Sequence, residues 1–275
     1  MKQTPGAQIF RYVLLFSFSL LVFLPITGLL LNAFRSASEV NLNPFALPSQ
    51  LSLENIKNAW MVGRFGIFFK NSIIVAVITV VASVFLSILT GYAFAILPLP
   101  GKKWLYPLVL LGYMVPFEAA IIPLYNLMNS LQLRDTYWAL ILPQIGLSVS
   151  FGTLWLTSSF ETIPQELIDS ATMDGSSRWQ TLWRILVPLS TPSLTTLVVL
   201  IFMWTWNEFL LALVMIQDEG LRTLPVGLAF FQGRYTSNIP LLAAGALIVA
   251  VPTVLVYILF QRFFIRGMLG GAVKG

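Results

Sequence analysis

The sequence predicts an all-α integral membrane protein, a bundle of six transmembrane helices, and three observations carry that prediction. Of 275 residues, 57% are hydrophobic and 10% charged, with a mean hydropathy of +0.83, whereas a solvated surface needs about a quarter of residues charged. Uncharged stretches run longer than the roughly 30 Å of a bilayer core is thick. One long segment between them is instead patterned as short amphipathic helices.

The first span is placed at about 12–34, because Tyr12 to Phe34 carries no charge and covers the core at about 1.5 Å per residue. No small-residue cleavage site follows Leu31, so this segment is read as part of the mature chain. The second span, about 73–97, ends where Pro98 and Pro100 break the helix, with Lys102 and Lys103 marking the next turn. The third, about 104–129, holds Glu118, and Pro116 and Pro123 predict a kink near its middle. The fourth covers about 136–160. The fifth, about 188–216, is interrupted by one charge, Glu208, and the sixth covers about 240–264.

The basic balance, +5 with a pI near 9.6, is read as topogenic and not as a sign of nucleic-acid binding. With Lys102, Lys103, Arg262, Arg266 and Lys274 inside, an even number of spans places both termini in the cytoplasm. Nine of the 16 Lys/Arg then lie inside. The chain has no cysteine and no histidine. That removes disulfide frameworks, thiolate metal sites, cysteine nucleophiles, the commonest metal ligand and the usual general base. No catalytic or metal site is predicted. No phosphate-cradling Walker sequence occurs either, so the chain is expected to bind no cofactor and to be no enzyme.

Residues 161–187 form the longest stretch on the predicted inner face. Thr162 and Gln165 fit a capping box with Pro164 in the first turn, starting a helix that runs through Glu166, Asp169 and Ala171 to Met173. Asp174 and Gly175 should end it in a tight elbow. Ser177 and Gln180 repeat the capping pattern, and Trp179, Leu182, Trp183 and Leu186 give the second helix an apolar stripe. Two short helices joined at a glycine make a rigid knob that a partner could grip, or a plain interfacial linker.

Asp169, Ser170, Ala171 and Gly175, followed by Val187 and Pro188, resemble the EAA motif of ABC importer permeases. Asp169 stands for the usual glutamate, Ser170 for the first alanine and Ser176 for the alanine that often follows Asp-Gly. LENIKNAW before the second span, DTYWALILP at the fourth, WNEFLLALV in the fifth and the terminal GAVKG are similar to the carbohydrate-uptake, maltose-type branch, and the resemblance covers nearly the whole chain. It implies the six-helix fold of a type I ABC importer permease and the import of a sugar across a bacterial inner membrane. The implied partners are a second permease subunit, two copies of an ATPase that carry the ATP and Mg, an extracytoplasmic sugar-binding protein and membrane lipid, with no nucleic acid. By the same resemblance, Glu166, Asp169, Ala171, Asp174 and Gly175 would dock on the ATPase, and Gly271, Val273 and Lys274 of the tail would reach between its subunits.

A charge inside a bilayer is costly unless it faces water or a partner, which makes Glu118 and Glu208 substrate-path candidates, together with Trp204 and Asn207. Aromatic faces beside amide and carboxylate acceptors suit sugar rings and hydroxyls. The competing reading packs Glu208 against the sister permease or sets the aromatics in an interfacial belt. Glycerol phosphate and polyol importers share much of this pattern. A secondary transporter would need ion-coupling carboxylates at mid-membrane and inverted repeats.

Overall fold

The computed structural model describes residues 5–43, 46–231 and 238–272. Among them every regular element is helical, as expected where only internally satisfied backbone survives in lipid. The chain divides into two compact units, Met1–Gly66 with Gly227–Val251, and Ile67–Val226 with Pro252–Gly275.

In the first unit α1 (Pro5–Ala33) is apolar on every side, and none of its most apolar window is buried. α2 (Ala37–Leu42) starts at a Ser36–Glu39 capping box, and α3 (Glu54–Val62) follows. Arg35 is almost fully buried, and its terminal guanidinium nitrogens donate to the carbonyls of Glu39 at 2.8 Å and Asn43 at 2.6 Å and to Asn32 Oδ1 at 3.2 Å. Asn55 ties α3 back by donating to the carbonyls of Ala33 and Arg35.

The second unit holds nearly all of α4 (Phe65–Ala95), then α5 (Lys102–Met114), α6 (Phe117–Ser130), α7 (Trp138–Phe160), α8 (Gln165–Met173), α9 (Arg178–Thr181), α10 (Val187–Leu189), α11 (Thr191–Trp206), α12 (Leu210–Met215) and α13 (Leu224–Gly227). A π-turn, Leu182–Leu186, joins α9 to α10. The last helix, α14 (Ile239–Ala272), contributes to both units. Glycines let α4 and α7 meet: a Cβ on Gly91 would stand 2.8 Å from that of Leu156, and one on Gly152 would strike Ser87. One core gathers Val75, Met128, Leu140, Leu211 and Met215. A second gathers Ile88, Leu156, Phe160, Leu197 and Ile201 with Ile168, Leu182 and Leu186 from the predicted loop.

Among the described residues four helices are each long and apolar enough to cross a membrane, and two bent pairs make six if each pair counts as one span. The bends exceed the kink expected in the third span. α5 and α6 meet at 96°, because Val115 precedes a proline and is held extended. The fifth segment is not continuous over 188–216: it turns by 79° at Ser190, where Pro192 opens α11, and α11 stops at Trp206 before α12 begins.

Candidate functional site

The loop elbow is built as a Schellman motif. Ser176 donates to the carbonyl of Ala171 and Gly175 to that of Thr172, both at 3.0 Å, with Gly175 at φ +80°. This is the left-handed position that a β-carbon strains. Before it, α8 starts differently from the expected capping box. Pro164 is the residue preceding the helix, with no side-chain cap, and the Thr162 hydroxyl turns back to the Ser159 carbonyl at 2.7 Å. Gln165 is free to donate along the helix to Asp169 at 3.0 Å. After the elbow, Ser177 and Gln180 do form the predicted capping box.

The face of α8 is split by burial. Ile168 and Ala171 are buried in the core that holds Leu182 and Leu186, whereas Glu166, Asp169, Asp174 and Gly175 are exposed. Ala171 therefore seats the helix and leaves the acidic side chains to face outward. Tyr92 of α4 donates to the carbonyl of Arg178 at 3.1 Å, fastening the second arm as well.

The apolar stripe of the second arm is only half realised. Leu182 and Leu186 are fully buried, but Trp179 is 58% exposed, its ring edge-on to Trp183. Beyond Trp179 the arm widens into the π-turn. The Val187 amide donates to the Leu182 carbonyl, five residues back, and Pro188 follows, a residue that cannot donate and whose ring crowds a regular helical turn.

In the same unit, α5, α6, α7 and α11 border an open cavity of about 370 Å³. Trp204 and Glu208 line it; Glu118, in the first turn of α6, stands beside it next to the lining residue Phe117. Asn207 does not reach it, and its amide donates instead to the Met203 carbonyl at 2.8 Å and to Thr253 at 3.4 Å. Trp206, the other tryptophan of the pair, is buried against Phe69 and Phe202. Glu208 Oε1 accepts the Leu211 amide at 2.7 Å, covering an open donor at the start of α12. Tyr113, Gln144, Ser148, Phe151 and Thr205 complete the polar and aromatic wall and were not singled out from sequence. Gln144, an amide in the middle of an apolar span, was the available signal.

Gly271 lies in the last turn of α14, while Val273 and Lys274 fall outside the described residues. Among the described residues no group of carboxylates could hold a metal ion.

The family described as binding-protein-dependent transport system inner membrane component matches residues 83–268, which include both the elbow and the cavity. The chain belongs to that family. Among relatives of this permease, the probable ABC transporter permease protein YurM of Bacillus subtilis is 35% identical over 264 residues, covering 96% of this chain and 88% of that one. The arabinooligosaccharides transport system permease protein AraQ of Halalkalibacterium halodurans is 35% identical over 276 residues, covering 98% of each. The permease also shares its fold with the crystal structure of a bacterial ABC transporter involved in the import of the acidic polysaccharide alginate. The TM-score is 0.83, with 22% identity over 96% of this chain and 99% of that one. The permease is thus an all-α, multi-pass inner-membrane protein with the six-helix arrangement of type I ABC importers.

Proposed function

We propose that this chain is one permease subunit of an ABC importer that carries a sugar across the inner membrane, driven by ATP hydrolysis on separate subunits. The observation that carries this reading is the elbow. An exposed acidic surface made by Glu166, Asp169 and Asp174 stands on a base of Ile168 and Ala171 and is closed by the left-handed Gly175. A rigid knob of this kind transmits movement instead of absorbing it, and its carboxylates suit basic groups on a partner.

The partners of this reading are a second, different permease subunit, two ATPase subunits that hold ATP and Mg, and an extracytoplasmic sugar-binding protein. Both termini lie in the cytoplasm, and the tail from Gly271 through Val273 and Lys274 contacts the ATPase. Support for a sugar comes from the arabinooligosaccharide permease at 35% identity and from the cavity, where Trp204 and Glu208 border the path and Glu118 flanks it.

The test is ATPase activity and sugar uptake in proteoliposomes holding the whole complex, with and without Gly175→Asp. Sugar-stimulated hydrolysis that the substitution uncouples supports the reading. Uptake by this chain alone, without ATP, would replace it with a secondary transporter. Uptake of glycerol phosphate or a polyol in place of any sugar would keep the importer and change its cargo.

A further inference from the structure

The cavity carries charge of one sign. Glu208 is on its wall and Glu118 stands next to the lining residue Phe117, yet among the described residues no Lys, Arg or His lines it. Around Glu208 the wall offers groups that pair with hydroxyls. Gln144 is 8% exposed and Ser148 7%. The Gln144 amide nitrogen is used on the Leu140 carbonyl at 2.9 Å, and among the described residues neither its oxygen nor the Ser148 hydroxyl takes a protein partner. Phe151 and Trp204, edge to face at 4.9 Å, supply aromatic surface.

We propose that this cavity is a substrate-contact site with a charge filter, admitting uncharged or amino sugars and excluding uronates and phosphorylated sugars, with Glu208 setting the preference. This rests on the reading of the chain as a sugar-importer permease and narrows its cargo. An anion entering the cavity beside a carboxylate meets repulsion with no counter-charge on the wall to offset it. A neutral ring can instead donate its hydroxyls to Glu208 and Gln144 and stack on the aromatic faces.

The chain has no cysteine, so Ser148→Cys gives it a single reporter thiol inside the cavity. In proteoliposomes of the whole complex, Cys labelling of this chain is timed with a cationic trimethylammonium methanethiosulfonate and its anionic sulfonate counterpart. The expected result is a cationic preference of about tenfold or more over that of a free thiol, cut at least about threefold by Glu208→Gln, whose amide oxygen still caps α12. Trehalose and arabinotriose should slow labelling, and trigalacturonate should not. Equal rates for the two reagents, a preference unchanged by Glu208→Gln, or protection by trigalacturonate would overturn the filter. Should Glu208→Gln fail to assemble, Glu118→Gln decides in its place: a smaller cut in the same direction supports the filter, and no change overturns it. ATP-dependent uptake of the uncharged sugars, measured in parallel without the cysteine, tests the importer itself, so a complex that imports while its two reagent rates are equal loses only the filter.

Discussion

Asp135 shows how one side chain can hold a loop. It sits in the left-handed region at φ +54°, which Asp and Asn tolerate better than most residues, and its Oδ1 accepts the amides of Asp218 at 3.0 Å and Gln217. The Asp218 amide, then that of Gln217, with Arg134 adding a smaller pull, holds the carboxyl below its ordinary 3.8 in spite of partial burial. A folded value below the unfolded one means that this stabilisation is complete above about pH 4 and fades as pH falls through the lower folded value. Asp135→Asn should therefore remove an acid-sensitive component of melting temperature in detergent between pH 6 and pH 3. Asp135→Ala should lose more at neutral pH, about 1–3 kcal/mol, because both amides lose their acceptor and the backbone is strained. At Gly175 any β-carbon has room but the wrong φ. Gly175→Ala is expected to cost about 1 kcal/mol and to lower sugar-stimulated ATPase activity of the complex while leaving its assembly intact. The sequence disclosed Gly175 because an Asp-Gly pair after an amphipathic turn has few other uses. It marked Asp135 only as the first residue of DTYWALILP and gave no hint of its role, since its partners are more than eighty residues away.

For helices, apolar periodicity located the elements and said little about how they break. Pro116 was read as a kink, but the extended Val115 before it separates α5 from α6 by 96°. Thr162 fitted a cap by spacing alone and lost that place to Pro164. The cavity was half legible: Trp204 and Glu208 stand on its wall, whereas Asn207 is drawn off to Met203 and Thr253. The residues that complete it come from other helices, whose facing sides a single uniformly apolar sequence does not reveal. Contact between α4 and α7 was equally hidden. It depends on Gly91 and Gly152, and a β-carbon on Gly152 would meet Ser87 Cβ at 2.7 Å. Gly152→Ala should destabilise the detergent-solubilised chain by about 1–3 kcal/mol, and adding Ser87→Gly should restore much of that loss. A double mutant no better than the single would place the strain elsewhere.

For the molecule as a whole, lipid exposure replaces the usual contrast between inside and outside. α1 has no buried residue in its most apolar window, while Leu197 of α11 is wholly buried between neighbours. Hydropathy treats the two helices alike, and so the sequence predicted their existence without ranking their contribution to packing. Phe16→Ala should change the thermal stability of the isolated chain by no more than about 0.5 kcal/mol. Leu197→Ala should cost about 2–5 kcal/mol in the same melting experiment.

The π-turn at Leu182–Leu186 also sets an angular phase. A regular helix advances about 100° per residue, and a widened turn holds one residue more than its regular equivalent, so the elbow points where it does because that residue is present. Deleting Ile185 would remove no acidic side chain from α8 and no residue from α11. It would nonetheless swing the whole knob about a quarter-turn around its own stem, offering a partner the right surface in the wrong direction.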